Sequence, residues 1–143
     1  MGTLSCKSNT LLPNVMLKQI ATAAQADDVI LMKDGYVTEG LASNVFIVTQ
    51  GVIQTPPQAG QILGGITRDI VIRLAKQQRF ALHETPITAA QLQAADEIWL
   101  TSSTREIVPV HTLDNRPLPQ QTRTRVWEKM MYYYEAAKHE IAE

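Results

Sequence analysis

The 143-residue sequence is poor in cysteine and histidine, and neither residue type is clustered. Its single thiol, Cys6, excludes an internal disulfide framework and a zinc site built mainly on thiolates. The three histidines, His83, His111 and His139, lie far apart and lack the spacing of metal ligands. We therefore expect no metal site, and the lone cysteine is typical of a protein in a reducing compartment, the cytoplasm.

Charge of one sign and long apolar runs are missing as well. Thirteen Lys and Arg against fourteen Asp and Glu leave a net charge of -1, so no basic excess would attract nucleic acid or an anionic membrane surface. No stretch approaches the ~20 consecutive apolar residues that a membrane-spanning helix needs, and the first residues lack the pattern of a signal peptide. With 45% hydrophobic and 19% charged residues, the chain is typical of one soluble globular domain with a buried core.

Apolar residues recur at helical spacing in three parts of the chain. The first covers residues 12–24, and the second begins just after Gly64 and Gly65. The third covers residues 123–141, where one side of the predicted helix carries Val126, Trp127, Met130, Met131 and Tyr134. The spacing of Thr88 and Gln91 is that of a capping box and predicts a further short helix.

Short β-branched runs bounded by turn residues predict strands between these helices. The runs cover residues 28–32, 44–48, 52–55, 80–84, 97–101 and 107–110. The tripeptide Thr-Gln-Gly at residues 49–51 predicts a hairpin between the second and third of them. Because the chain has no internal repeat and no linker, the pattern indicates a single α+β domain.

The order of four segments along the chain indicates the chemistry of this protein. They are Lys7-Ser8, residues 36–46 with Tyr-Val-Thr-Glu-Gly and Ser-Asn-Val-Phe, residues 64–69 with Gly-Gly-Ile-Thr-Arg-Asp, and residues 101–106 with Thr-Ser-Ser-Thr-Arg-Glu. Together they closely resemble the large C-terminal domain of the fold-type IV pyridoxal-phosphate enzymes. This family includes D-amino-acid aminotransferase, branched-chain aminotransferase and aminodeoxychorismate lyase. The resemblance extends over nearly the whole chain and implies an α+β fold with a mixed or antiparallel sheet and packed helices.

The resemblance assigns two residues to the cofactor ring. Lys7 matches the family's lysine that forms an imine with the aldehyde of pyridoxal 5'-phosphate and later, as an amine, moves a proton between substrate and cofactor. Glu39 matches the carboxylate that keeps the pyridine nitrogen protonated, because a carboxylate bonded to that nitrogen raises its pKa. Without the resemblance, Lys7 reads as a surface lysine and Glu39 as a surface glutamate beside a turn.

The other assigned residues surround the phosphate and one face of the ring. Ile66 and Thr67 match the family's phosphate-binding positions at a helix start, where unsatisfied amides and the positive end of the helix dipole converge. Ser103 matches a second hydroxyl, with Ser102 beside it, and Leu63 matches the apolar residue against the ring. On sequence alone, Thr67 reads as a simple helix N-cap and Leu63 as ordinary loop packing.

Within the family, residues 40–46 and 101–110 look closer to the D-amino-acid aminotransferases than to the branched-chain enzymes. The implied reaction transfers the amino group of D-alanine to 2-oxoglutarate, giving pyruvate and D-glutamate. Aminodeoxychorismate lyase and branched-chain aminotransferase remain alternatives, and so does a non-catalytic fragment that dimerises. Leu41 and Ala42 depart from the small hydroxyl residues that are usual at these positions.

The resemblance also implies partners. Residues 1–143 correspond to the C-terminal cofactor-binding domain, and we expect the small N-terminal domain of full family members to be absent from this chain. In the family, that domain supplies an arginine to the phosphate and the residues that hold the substrate carboxylate. We therefore expect a homodimer that acts on amino acids and 2-oxo acids, has the small domain as a structural partner, and catalyses poorly as the isolated chain.

Overall fold

The computed structural model describes residues 4–10, 27–41, 43–57, 65–119 and 125–142. Its elements, in chain order, are β1 (Leu4–Thr10), β2 (Asp28–Lys33), β3 (Tyr36–Gly40), β4 (Asn44–Thr49), β5 (Val52–Thr55), α1 (Ile66–Gln77), β6 (Leu82–Glu84), α2 (Ala89–Ala94), β7 (Glu97–Ser102), β8 (Glu106–Leu113), β9 (Arg116–Pro117) and α3 (Val126–Ala142). None of the helices within these ranges is both long and apolar enough to cross a bilayer.

The strands form one mixed sheet in the order β3-β2-β1-β8-β7-β4-β5-β6, with β9 paired to β8. Strand β1 runs parallel to both of its neighbours, and β5 runs parallel to β6. Strands β3 and β4 lie apart in this order, but the end of β3 is close to the start of β4, because the Gly40 amide donates to the Ser43 carbonyl at 2.8 Å. The sheet must therefore curl, because its β3 end returns to β4. The predicted mixed sheet with packed helices is confirmed.

A first hydrophobic core fills the inside of the curl. Alternate residues of the strands face it, as the two-residue period of a strand requires, and α2 contributes Leu92. The buried members are Cys6, Ile30, Val37, Val45, Ile47, Ile87, Leu92, Ala95, Ile98, Leu100, Val108, Val110 and Leu113. This core fixes the positions of the turns at the strand ends.

A second core lies between the sheet and helices α1 and α3. Phe46 and Trp99 project into it from β4 and β7 with their ring centroids 6.0 Å apart. The helices contribute the apolar residues that recur at three- and four-residue steps: Val71, Ile72, Leu74, Ala75, Val126, Met130, Met131 and Tyr134. The sheet therefore holds α1 and α3 against each other and sets where α1 begins.

Most of the predicted elements agree with the structure. The hairpin of β4 and β5, the start of α1 after Gly65, and the capping box of α2 are confirmed. The last helix begins at Val126, so Arg125 lies outside it, contrary to the predicted span of 123–141. The predicted helix over residues 12–24 lies outside the described residues. The strand patterns do not predict β1, β3 or β9.

Candidate functional site

A cavity of about 320 Å³ opens where three structural segments meet. The end of β3 with the turn into β4 forms one wall, the start of α1 forms a second, and the end of β7 with its following turn forms a third. Its lining residues are Glu39, Leu41, Ser43, Asn44, Gly65, Ile66, Thr67, Arg68, Thr101, Ser102 and Ser103. The structure therefore brings together five of the predicted site residues, which are Glu39, Ile66, Thr67, Ser102 and Ser103.

The structure does not describe the side chains of the two remaining predicted residues, Lys7 and Leu63. Lys7 lies in the middle of β1, where its backbone pairs with Val29 of β2. Strand β2 in turn pairs with β3, which carries Glu39. Lys7 and Glu39 thus belong to the same three-stranded part of the sheet. Leu63 lies outside the described residues.

Glu39 presents a partly buried carboxylate on the β3 wall. Burial raises the pKa of this carboxyl above its ordinary value. Among the described residues, no donor lies within hydrogen-bond distance of it. A desolvated and unpaired carboxylate is costly, so this group is suited to a ligand that carries an N–H donor or a positive charge.

The start of α1 provides hydrogen-bond donors and a positive partial charge, in contrast to the Glu39 carboxylate. Its N-cap, Gly65, has extended backbone angles (φ -110, ψ 146), and no described side chain caps it. The first-turn amides of a helix have no partner within the helix, and the helix dipole makes this end positive. The Thr67 side chain is buried in the first turn, and its hydroxyl donates to the Ser102 carbonyl at 3.1 Å. Ile66 is 78% exposed, so its backbone rather than its side chain is placed to bind.

Gly65 packs closely against the cavity wall formed by Asn44. A Cβ at Gly65 would lie 2.6 Å from the Asn44 Oδ1 atom, closer than two such atoms can approach. The sequence indicates only that glycine belongs in a loop before a helix. The contact with Asn44 gives the physical reason for glycine here, and it depends on the pairing of distant segments.

The hydroxyls of the third wall differ in their bonding. Ser102 Oγ accepts from the Arg105 amide at 3.0 Å, whereas Ser103 is exposed in the turn. Thr101 is only 1% exposed, and its Oγ1 atom has no hydrogen-bond partner in the described structure. A buried hydroxyl without a partner is uncommon in native proteins. Thr101 is a cavity residue that the sequence analysis missed, because a threonine at the end of a strand carries no distinctive signal.

Asp28 is a second missed residue, and it connects two walls. Its buried carboxylate accepts from the Leu41 amide at 3.2 Å and from Ser43 Oγ at 3.4 Å. The Arg105 Nη1 atom lies 3.8 Å from Asp28 Oδ2. Asp28 thus holds the turn after β3 next to the turn of residues 103–105 that follows β7. An aspartate opening the apolar strand Asp-Val-Ile-Leu-Met is the signal that could have identified it.

Arg68 is a third missed residue, lying beneath the start of α1. Its side chain is 2% exposed, yet it carries a charge. The Nη2 atom donates to Glu84 Oε1 at 2.9 Å and to the Pro56 carbonyl at 3.0 Å. Asp69 lies farther away, at 3.7 Å from Nη1. Arg68 thereby ties α1 to β6 and to the segment that follows β5.

Comparisons with known proteins agree with this geometry. The D-alanine aminotransferase of Bacillus licheniformis is 44% identical over 112 residues, which cover 78% of this chain and 40% of that protein. The branched-chain-amino-acid aminotransferase of Pseudomonas aeruginosa is 37% identical over 130 residues, which cover 90% and 42%. The chain therefore spans about two fifths of the length of these curated relatives.

The fold comparison and the family model lead to the same family. The crystal structure of an aminotransferase from Brucella abortus bound to the cofactor PLP has a TM-score of 0.86 at 26% identity, covering 96% of this chain and 55% of that one. The family model described as amino-transferase class IV matches residues 3–113, from β1 to the end of β8, and so includes every described wall of the cavity. The chain belongs to the class IV aminotransferase family.

Proposed function

We propose that the cavity binds pyridoxal 5'-phosphate and that the chain serves the transamination of D-amino acids. The observation that carries this proposal is the opposed chemistry of the cavity walls. Glu39, whose carboxylate has no partner among the described residues, lies on one wall, and the amides of the α1 start with the Thr67, Ser102 and Ser103 hydroxyls lie on the others. This donor and acceptor set suits a molecule with a protonated ring nitrogen at one end and a phosphate at the other.

Each site residue then has a defined task. Glu39 holds the proton on the ring nitrogen, and the Ile66 and Thr67 amides with the hydroxyls of Thr67, Ser102 and Ser103 hold the phosphate. Leu63 would contact one ring face, as the resemblance implies. Lys7 is the covalent attachment point and moves the proton at the substrate α-carbon. The bound cofactor would supply the electron sink that makes this α-proton acidic.

The choice of D-amino acids rests on similarity to the D-alanine aminotransferase over 78% of the chain. In the proposed reaction, D-alanine and 2-oxoglutarate give pyruvate and D-glutamate. Branched-chain transamination is the second candidate. It is favoured by the Pseudomonas relative, which is 37% identical to this chain over 130 residues.

We further propose that the 143 residues form the cofactor-binding domain of a homodimeric enzyme. The curated relatives are more than twice as long as the segment they share with this chain. A small domain of the kind present in full family members would then add an arginine to the phosphate and hold the substrate carboxylate. Size-exclusion chromatography with light scattering measures the oligomeric state directly.

Reduction with borohydride after addition of pyridoxal phosphate tests the assignment of Lys7. We expect peptide mapping to find the cofactor on Lys7, and we expect the visible absorbance band to disappear in Lys7→Arg but to remain in Lys33→Arg. A label on Lys33, or the absence of any visible band, would reject the proposal and favour the non-catalytic alternative. Comparing D-alanine with L-leucine as amino donors then separates the two candidate reactions.

Gly65→Ala tests the close approach of α1 to Asn44. The added methyl group must displace either Asn44 or the helix start, because it would lie 2.6 Å from Oδ1. We expect the affinity for pyridoxal phosphate to fall by about tenfold, which corresponds to ~1.4 kcal/mol. Gly51→Ala is the matched control, since Gly51 has a φ of 81 in the β4–β5 turn and open space around it. The control should lower stability and leave the affinity unchanged; equal affinities of the two variants would contradict the prediction.

A further inference from the structure

Thr101 lies on the face of the sheet that packs against α1. Side chains of a strand alternate between its two faces, so Thr101 shares its face with Trp99, a member of the second core. Its partner directly opposite on β4 is Asn44, just as Phe46 is the partner of Trp99. Directly opposite residues of two antiparallel strands lie side by side on one face. The Asn44–Thr101 pair therefore lies next to the Phe46–Trp99 pair, on the side of the helices.

Two contacts place the start of α1 beside this pair. Gly65, the N-cap of α1, lies against Asn44, since a Cβ at Gly65 would be 2.6 Å from Asn44 Oδ1. Thr67, in the first turn of α1, donates to the carbonyl of Ser102 at 3.1 Å. The residue opposite Thr101 and the residue after it thus both lie against the start of the helix. Thr101 itself lines the cavity that opens there.

The hydroxyls of the cavity differ in what accepts their protons. Each hydroxyl has one proton to donate. The Thr67 hydroxyl donates to a backbone carbonyl, and the Ser43 hydroxyl donates to a buried carboxylate at 3.4 Å. Ser103 is exposed, so water can accept its proton. Thr101 is only 1% exposed and has no hydrogen-bond partner among the residues that the structure describes, so its proton lacks an acceptor there.

A buried donor without an acceptor costs free energy, and native proteins rarely keep one. Thr55 shows the usual arrangement, because it is fully buried and its hydroxyl donates to the Val45 carbonyl at 2.7 Å. Beside Thr101, the first-turn amides of α1 lack partners within the helix, and the helix dipole makes this end positive. A negatively charged oxygen would accept from the hydroxyl and from these amides together. The Thr101 hydroxyl and the start of α1 therefore suit the same anionic ligand.

We propose that Thr101 is a further anion-binding residue of the cavity, whose hydroxyl donates its proton to a phosphate oxygen at the start of α1. The proposal rests on the proposed function for the identity of this phosphate, which is that of the cofactor. Thr101 gains its acceptor only when the phosphate binds. The same hydroxyl therefore lowers the stability of the empty chain and raises the affinity for the ligand. The resemblance to the family assigns the neighbouring Ser102 and Ser103, but not Thr101.

Thr101→Val tests the proposal, because valine keeps the branched shape and removes the hydroxyl. The two probes are pyridoxal phosphate and pyridoxal, which lacks the phosphate, with dissociation constants measured by absorbance and fluorescence titration. We expect about tenfold weaker binding of pyridoxal phosphate, the loss typical of one hydrogen bond to a charged group, and unchanged binding of pyridoxal. Thr101→Ser retains the hydroxyl and should keep most of the affinity for pyridoxal phosphate. Equal losses for the two probes, or no loss, would overturn the proposal.

Thermal unfolding without ligand supplies a second, independent readout. We expect the Tm of Thr101→Val to equal or exceed that of the wild type, because the variant no longer buries a donor without an acceptor. Thr55→Val is the matched control, since it removes an equally buried hydroxyl that has its acceptor. The control should lower the Tm by about 4 °C and leave both dissociation constants unchanged. A lower Tm in Thr101→Val would mean that its hydroxyl already has a structural partner, and it would overturn the proposal.

Inorganic phosphate separates failure of this inference from failure of the proposed function. If the wild-type chain binds no pyridoxal phosphate, the proposed function fails, yet the anion site at the start of α1 can still be tested by thermal unfolding with added phosphate. We then expect phosphate to raise the Tm of the wild type and of Thr55→Val more than that of Thr101→Val. Equal rises in all three proteins, or no rise in the wild type, would contradict the inference.

Discussion

Replacing Glu39 with glutamine is expected to slow removal of the substrate α-proton by several orders of magnitude in the cofactor-loaded protein. Glutamine has nearly the same size, but its amide cannot stabilise a positive charge on the ring nitrogen as a carboxylate does. Each unit by which Glu39 raises the pKa of that nitrogen corresponds to ~1.4 kcal/mol, and loss of an ion pair removes several such units. Exchange of the α-proton for deuterium, followed by nuclear magnetic resonance, measures this step directly.

In the chain without cofactor, the same substitution should slightly raise the folding stability. Burial raises the pKa of Glu39 in the folded state. Between the ordinary glutamate pKa and the raised one, the folded state therefore binds more protons than the unfolded state. The stability of the wild type therefore falls as the pH rises from the ordinary glutamate pKa through the raised one. Glu39→Gln should remove this fall and be slightly more stable at neutral pH. Glu128→Gln, an exposed carboxylate on α3, is the control and should change neither property.

A near-normal exchange rate in Glu39→Gln would reject the assigned role. So would a large loss of folding stability without cofactor, because that result would make Glu39 a structural residue. We expect slower proton transfer together with unchanged or higher stability. This combination indicates a residue that serves the bound ligand and not the folding of the chain.

Replacing Glu84 with alanine is expected to lower the free energy of unfolding by about 3 kcal/mol, although Glu84 itself is partly exposed. Arg68, its partner, is 2% exposed and would keep its charge with only the Pro56 carbonyl at 3.0 Å and the more distant Asp69. Taking the nearer partner from a buried ion pair leaves the charge poorly compensated in a region of low dielectric constant. Urea unfolding followed by circular dichroism measures the change.

Arg68→Met should cost less than Glu84→Ala, because methionine removes the buried charge and fills much of its space. Glu84 can then be hydrated at the surface, since 38% of its side chain is exposed. His83→Ala on the same edge strand is the control for truncating an exposed side chain of β6, and it should change stability by less than ~0.5 kcal/mol. If Arg68→Met were the more destabilising variant, the contacts of its guanidinium rather than its unpaired charge would dominate.

The sequence by itself determined the elements whose structure depends on neighbours along the chain. Thr-Gln-Gly at residues 49–51 closes a hairpin by its own turn geometry, and Thr88 with Gln91 caps α2 through hydrogen bonds between adjacent residues. The start of α1 follows from glycine before a helical apolar run. The resemblance to the family rests on the same kind of short sequence segment. It assigned Glu39, Thr67 and Ser103 to one site, and the cavity contains all three.

Only the tertiary structure determined how these sequence segments come together. Asp28 joins the turn after β3 to Arg105, and Arg68 pairs with Glu84. Each contact links segments whose distance depends on the curl of the sheet, and no pattern along the chain encodes that distance. The unpartnered Thr101 hydroxyl is of the same kind, because a missing hydrogen bond becomes visible only when every neighbour has its place.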